Sequence, residues 1–178
     1  RELDGVRLLI LPAAHCLSQA EADATDHFCR RGGIVFAEGS VGGYESDTGR
    51  YSTRVPGCGL AERWGIRETD STSPLHLDCS GKVSGTGPAA EGDVAKALDS
   101  AGTKGGEYLP LSAVGETGWG ALLLSSLESE SGETLASYRN IPCVIKLRRE
   151  SGTVFYCGTY LGIAAAEQSA DFLAGLLE

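Results

Sequence analysis

The sequence has no methionine, only three histidines, and aromatic side chains at just 7% of its 178 residues. Basic residues are also few, because 15 Lys and Arg stand against 24 Asp and Glu and leave a net charge of −9 at pH 7. We therefore expect no nucleic-acid partner, since neutralising phosphates requires clustered Lys and Arg. The sequence also lacks an apolar stretch of membrane-spanning length, so we expect no membrane partner.

The six cysteines lack the spacing of a metal or redox site. They are Cys16, Cys29, Cys58, Cys79, Cys143 and Cys157, and no two of them form a C-x-x-C pair. Free buried cysteine behaves as a small apolar residue, and Cys143 and Cys157 fall in apolar strand patterns. We therefore expect reduced, structural thiols, and this favours the cytoplasm as the compartment.

The first 40 residues predict a parallel strand–helix–strand unit. The apolar runs at 6–11 and 34–38 are continuous, as in strands that helices cover on both faces of a sheet. Between them, Ser18 and Glu21 have the spacing of a capping box at a helix start. The pair Gly32-Gly33 then ends the helix, and we expect the crossover to be right-handed.

This unit begins unusually early in the chain. A doubly wound domain normally has a strand and a helix before such a unit, whereas here the first buried strand follows Arg1 almost at once. We therefore expect residues 1–178 to be a single domain cut from a larger protein. The missing first strand and helix would lie upstream of Arg1.

The rest of the chain predicts a less regular set of elements. Glycine-rich residues 39–49 predict a loop, and residues 59–65 predict a short helix. Strand-like segments lie at 75–79, 108–111, 121–125, 135–138, 142–147 and 153–158, with a helical turn at 93–98 and a closing helix marked by Ala165, Ser169, Phe172, Leu173, Leu176 and Leu177. The turn at 149–152 predicts an antiparallel hairpin. The sheet should therefore be mixed, with parallel strands at its front.

Ligands of open α/β sheets bind at the carboxyl ends of the strands. The residues expected there are His15, Cys16, Glu38, Ser40, Tyr44, Thr159 and Tyr160, and we take these as the crevice candidates. A Cys, a His and a Glu in one crevice could supply a thiol nucleophile, its base and a group that orients the base.

The spacing around the cysteines argues against that chemistry. A nucleophile elbow needs small residues two positions before and after the nucleophile, but Cys58 has Pro56 and Leu60 there, and Cys16 precedes the cap of a regular helix. Adjacent side chains such as His15 and Cys16 also point apart in extended backbone. We therefore assign no catalytic residue, metal site or cofactor to this chain. A glycosidase barrel would need about 250 residues.

Several phrases of the sequence resemble a known module. They are Leu-Ile-Leu-Pro-Ala at 9–13, Leu-Ser-Gln-Ala-Glu-Ala at 17–22, Arg-Gly-Gly-Ile-Val-Phe-Ala-Glu-Gly at 31–39, Ile-Pro-Cys-Val at 141–144 and Ser-Gly-Thr-Val-Phe-Tyr-Cys-Gly-Thr-Tyr-Leu-Gly at 151–162. Together they resemble the middle, trimerisation domain of family 42 β-galactosidases. The resemblance implies a class I glutamine amidotransferase-like, flavodoxin-like three-layer sandwich, and we expect its mixed sheet to be mainly parallel.

The resemblance also implies a role. It indicates a non-catalytic assembly or accessory domain of a glycoside hydrolase, joined to a catalytic barrel and forming a homo-oligomer, with a trimer as the implied form. The catalytic glutamates of that family lie in the barrel, so no residue here inherits them. Two alternatives stay open: an amidotransferase-like or PfpI-like cysteine hydrolase that uses Cys16 or Cys58, and a sugar-binding module that uses Glu38, Ser40, Tyr44 and Tyr160.

Overall fold

The computed structural model describes residues 3–72, 108–113, 117–167 and 170–177. The first half contains β1 (Leu8–Pro12), β2 (Cys16–Leu17), α1 (Gln19–Arg30), β3 (Ile34–Glu38), β4 (Tyr44–Glu45), α2 (Leu60–Trp64) and β5 (Ile66–Thr72). The second half contains β6 (Tyr108–Ala113), β7 (Thr117–Ala121), β8 (Leu124–Ser129), β9 (Glu133–Tyr138), β10 (Ile141–Arg149), β11 (Gly152–Cys157), α3 (Leu161–Glu167) and α4 (Asp171–Leu177). The predicted strand at 75–79 and helical turn at 93–98 lie outside the described residues.

The front unit forms as its caps and apolar runs predict. The Ser18 hydroxyl accepts a hydrogen bond from the backbone N–H of Glu21 (3.2 Å), and the Glu21 carboxylate accepts one from the backbone N–H of Ser18 (2.8 Å). This reciprocal cap starts α1, which ends before Gly32 at a φ of +103°. The ring of Phe28 occupies the place of a side chain at Gly33, so only glycine fits there.

Seven strands form the main sheet in the order β1-β3-β11-β10-β9-β6-β7. The β1–β3 and β3–β11 pairs are parallel, whereas β11–β10, β10–β9, β9–β6 and β6–β7 are antiparallel. The α/β class and the mixed sheet are therefore correct, and the expected antiparallel hairpin forms. The expectation of a mainly parallel sheet is wrong. Tight turns with positive φ at Arg139, Asn140 and Glu150 join β9, β10 and β11, and such turns only connect antiparallel neighbours.

Two other predicted elements differ in their limits. The strand expected at 121–125 is split, because Leu122 has a φ of +60°, so β7 ends at Ala121 and β8 begins at Leu124. The closing helix is two helices, α3 and α4, and Asp171 in the first turn of α4 has the charge that a helix start favours.

Helices lie against both faces of the sheet, because successive side chains of a strand point to opposite faces. On one face Val35, Ala37, Val154 and Tyr156 pack with Ala22, Phe28 and Cys29 of α1 and with Leu60 and Trp64 of α2. On the other face Phe36, Phe155 and Cys157 pack with Leu161 of α3 and with Phe172 and Leu173 of α4. The carboxyl ends of β1, β3 and β11 share one edge, where the crevice candidates were expected.

Candidate functional site

The structure brings His15 and Tyr160 together at the carboxyl edge of the sheet. The Tyr160 hydroxyl and Nε2 of His15 lie 3.1 Å apart and form a hydrogen bond. The Tyr160 ring lies against Gly39, in the space that a side chain there would need. Burial raises the pKa of Tyr160, and the charges of Glu68 and Glu38 add to the effect. The imidazole that could serve a thiol is therefore bonded to a phenol.

Glu38, at the end of β3, holds the first turn of α3. Its side chain is only 4% exposed, and Oε2 accepts the backbone N–H groups of Leu161 (3.0 Å) and Gly162 (3.1 Å). Burial raises the pKa of the Glu38 carboxyl, while these two N–H groups oppose the shift. The carboxylate thus connects the central sheet to the helix that follows β11.

Glu38 makes stability depend on pH in a defined direction. Because its pKa is raised on folding, the carboxyl binds more protons in the folded than in the unfolded chain. Its contribution is complete below the ordinary value of 4.5 and is lost as pH rises through the folded-state pKa. Glu38→Gln, whose amide oxygen still accepts both N–H groups, should therefore gain stability relative to the parent as pH rises from about 4.5 through the folded-state pKa. Urea unfolding across this range measures it.

Glu21 supplies the control with the opposite sign. Hydrogen bonds from the backbone and then the hydroxyl of Ser18 lower the pKa of Glu21. Its contribution is present above the ordinary value of 4.5 and is lost as pH falls through the lower folded-state pKa. Glu21→Gln should therefore lose stability relative to the parent as pH rises. Parallel pH profiles for the two variants would contradict the role given to Glu38.

Glu68 of β5 is the centre of a second polar network, which the sequence analysis missed. Its Oε1 accepts the backbone N–H of Ser40 (3.0 Å) and the hydroxyl of Tyr156 (2.6 Å). Its Oε2 accepts the hydroxyls of Ser40 (3.2 Å) and Ser125 (2.8 Å), and Ser125 also bonds Ser71 (3.0 Å). Four donors use the acceptor capacity of the carboxylate. Glu68 therefore joins β5, β8, β11 and the loop after β3.

A sequence signal for Glu68 does exist. In a strand, residues two apart share a face, and Ile66 is buried at 1% exposure. Glu68 therefore points inward with Ile66. The other residues of the segment, from Arg67 to Ser71, are polar, so it lacks the apolar alternation that predicts a strand.

Ser40 has the one backbone feature of a nucleophile elbow, a φ of +44° after a parallel strand. Its hydroxyl donates to the Glu68 carboxylate, and among the described residues no imidazole forms a hydrogen bond with it. The bonds from Glu68 to both the N–H and the hydroxyl hold this conformation. The arrangement fixes a turn and offers no base to a serine nucleophile.

Cys58 also lies at a positive φ, +53°, but its thiol is not activated. The sulfur donates to the carbonyl oxygen of Leu17 at 3.2 Å. Burial raises the pKa of Cys58, and the charge of Glu45 is the next cause, although Arg63 opposes it. A nucleophilic thiol needs a lowered pKa. The environment of Cys58 is therefore opposite to the one that thiol catalysis requires.

The other cysteines are buried, exposed or outside the described residues. Burial raises the pKa of Cys29 to about 11 and that of Cys143 to about 12, and it raises the pKa of Cys157 well above its ordinary value. Cys16 is exposed, while Cys79 lies outside the described residues. The five described cysteines are all free, as the sequence indicated.

The last two crevice candidates have different surroundings. Thr159 is fully buried, and its hydroxyl donates to the Ala121 carbonyl at 3.3 Å, so it does not face an open crevice. Tyr44 is 43% exposed, and its N–H donates to the His15 carbonyl at 2.8 Å. Its ring meets Tyr51, which the sequence analysis did not select, edge to face at 5.3 Å.

A groove of about 710 Å³ lies away from these residues, between α2, β5, β8 and β10. Two ion pairs line it, Arg54 with Glu62 and Arg67 with Glu128, each at 2.6 Å. All four side chains are at least half exposed, so the pairs add little stability. Within the described ranges no three metal-ligating side chains are grouped. No helix there is long and apolar enough to cross a membrane.

Comparisons with known proteins extend this picture. No family model matches the sequence, and no curated protein matches it. Among solved structures, a β-galactosidase from Bacillus circulans sp. alkalophilus matches with a TM-score of 0.70 and 15% identity, over 99% of this chain and 22% of that one. A β-galactosidase from the Antarctic haloarchaeon Halorubrum lacusprofundi gives 0.67 and 19%, over 99% and 22%.

A GH42 β-galactosidase from G. stearothermophilus also matches, with a TM-score of 0.66 and 14% identity, over 96% of this chain and 21% of that one. The chain thus spans about a fifth of the length of the solved structures that it matches. At these identities the likeness concerns the fold. The resemblance noted in the sequence is confirmed at that level: this chain has the fold of a small domain of GH42 β-galactosidases.

Proposed function

We propose that this chain is a non-catalytic assembly or accessory domain of a β-galactosidase-like glycoside hydrolase. The observation that carries the proposal is the fold match, which covers 99% of this chain but only 22% of a β-galactosidase. The site geometry supports it, because Glu38, Glu68 and Ser40 are engaged in internal hydrogen bonds. The raised pKa of Cys58 disfavours the cysteine-hydrolase alternative.

The finer fold assignment belongs to the same proposal. A class I glutamine amidotransferase-like, flavodoxin-like three-layer sandwich has helices on both faces of a sheet with parallel strands. The packing of α1 and α2 on one face and of α3 and α4 on the other supports that arrangement. The antiparallel strands β9, β10, β6 and β7 would then extend the parallel part of the sheet.

The free edge of β1 is a place where a further strand of the same protein can pair. Among the described residues β1 pairs only with β3, and it lies at the end of the sheet. Ile10 in β1 is 49% exposed and the nearby Val6 is 40% exposed. Proteins usually cover such an apolar edge, because its free backbone groups invite pairing. We propose that a preceding strand and helix complete the domain here, and that a catalytic barrel belongs to the same chain.

The oligomer is the testable part of the proposal. Size-exclusion chromatography with light scattering on the complete protein that contains this chain should give a multiple of the chain mass, with a trimer as the expected form. A version without residues 1–178 should fall to the monomer mass. Because assembly depends on concentration, both proteins are measured over a dilution series. A complete protein that is a strict monomer at every concentration would contradict the assembly role.

A further inference from the structure

Two exposed tyrosines beside the crevice have no part in the proposed assembly role. Tyr44 is 43% exposed and Tyr51 is 59% exposed, and their rings meet at an interplanar angle of 79° with centroids 5.3 Å apart. We call these two residues the exposed tyrosine pair. Both aromatic side chains are exposed at the surface, whereas most large apolar side chains of the described chain are buried.

The loop between these tyrosines is held rigidly. An antiparallel bridge pairs Tyr44 with Tyr51, and the N–H of Glu45 donates to the Arg50 carbonyl at 2.9 Å. The Thr48 hydroxyl donates to the Glu45 carboxylate (2.7 Å) and accepts the N–H of Arg50 (3.1 Å). These bonds order the loop backbone that carries the two tyrosines. Such preorganisation lowers the entropic cost of binding.

The exposed tyrosine pair lies beside the polar groups at the carboxyl edge of the sheet. The Tyr51 ring lies beside Gly43, whose N–H donates to the Ser40 carbonyl at 2.9 Å. Burial raises the pKa of Tyr51, and the charge of Glu68 is the next cause. On the other side, the N–H of Tyr44 donates to the carbonyl of His15. Aromatic surface and hydrogen-bonding groups therefore share one small area.

The chemistry of this area favours a neutral ligand with many hydroxyls. Acidic groups at Glu45 and Glu68 and a net charge of −9 disfavour an anion. The Glu68 carboxylate is already satisfied by four donors, so it is not free to pair with a cation. A sugar ring has an apolar face for stacking on a phenol and hydroxyls that bond to its edge.

We propose that the exposed tyrosine pair is a binding site for a neutral hexopyranose unit. One ring stacks on the apolar face of the sugar, and the hydroxyl of the other ring bonds to the sugar edge. The proposal does not rest on the assembly role, so either one can fail without the other.

Calorimetry on the complete protein tests the proposal, with isopropyl thiogalactoside and isopropyl thioglucoside as probes because their sulfur linkage resists hydrolysis. Replacing both Tyr44 and Tyr51 by alanine should remove the heat of one site per chain, or weaken that site by at least about tenfold, as expected for losing one stacking contact and one hydrogen bond. Replacing both by phenylalanine keeps the stacking ring but removes the hydroxyl that bonds to the sugar, so binding should weaken less than in the alanine pair, by about threefold. Ile163→Ala, a variant of another exposed apolar residue, on α3, is the control.

Light scattering and thermal unfolding of each variant show whether assembly and folding are kept, which separates this test from that of the assembly role. The phenylalanine pair and the Ile163 control keep the comparison valid if the alanine pair unfolds. The proposal would be overturned if the alanine pair, once folded, bound the thioglycosides with the parent's stoichiometry and affinity. It would also be overturned if the exposed tyrosine pair bound tetramethylammonium and neither sugar probe.

Discussion

Trp64→Ala is expected to lower the free energy of unfolding by about 3–5 kcal/mol, the usual cost of removing a large buried aromatic side chain. Trp64 is 1% exposed and packs edge to face on Tyr156, with centroids 6.4 Å apart. Its indole N–H donates to Asp26 at 3.0 Å, and Arg149 contacts the same carboxylate oxygen at 3.2 Å. One side chain thus connects α2 to α1 and to the sheet, and its loss leaves a cavity in the larger of the two cores.

The matched control is Trp64→Phe. Phenylalanine keeps most of the ring volume but cannot donate to Asp26, so the expected loss is about 1.5–3 kcal/mol, the value of a single hydrogen bond to a charged group. Urea unfolding followed by far-ultraviolet circular dichroism measures both variants, since Trp64 itself is one of the fluorescent reporters. An alanine variant within about 1 kcal/mol of the parent would contradict the packing described for α2.

Glu68→Ala is expected to lower the free energy of unfolding by about 2–4 kcal/mol. The substitution leaves the hydroxyl of Tyr156 without its acceptor, and Tyr156 is fully buried. Ser125 is also fully buried but keeps its bond to Ser71, which limits its share of the loss. Ser40 loses both bonds that support its positive φ. Buried hydroxyls that lose their partners each cost about 1–3 kcal/mol.

Two further variants separate the parts of this network. Glu68→Gln keeps the size and one carbonyl oxygen, and the serine hydroxyls can turn to accept its amide protons, so a loss of about 1 kcal/mol is expected. Tyr156→Phe removes only the phenol donor and should also cost about 1 kcal/mol. The expected order is therefore Ala, with the largest loss, and then the other two. Equal stability of Glu68→Ala and the parent would show that Glu68 does not join the strands as described.

The sequence was sufficient for the front unit and for the short helix α2, because their signals are local. The Ser18 and Glu21 cap, the continuous apolar strands and the spacing of Leu60, Ala61 and Trp64 each depend on neighbouring residues alone. The hairpin of β10 and β11 was predictable for the same reason, from its turn at Glu150. Elements of this kind can be predicted from a single segment of the sequence.

The strand order and the polar networks could not be predicted from local patterns. The antiparallel run from β10 to β7 depends on pairings between distant segments, such as Ser112 with Ser137. Glu68 meets Ser125 and Tyr156 across 57 and 88 residues of sequence. Tyr51 follows a glycine-rich loop, and its position beside Tyr44 depends on the bridge between these two residues. Long-range contacts of this kind have no signature in one sequence segment.

Alkylation of the complete protein by iodoacetamide at neutral pH, with each cysteine followed by mass spectrometry, tests the central claim most directly. The claim is that the groups at the strand ends stabilise the fold and that none of them acts as a nucleophile. We expect the buried Cys29, Cys143 and Cys157 to stay unmodified until the protein unfolds, and the partly buried Cys58 to react slowly, because burial raises the pKa of all four. The exposed Cys16 should react no faster than glutathione. Rapid, stoichiometric modification of Cys16 or Cys58 in the folded protein would contradict the claim.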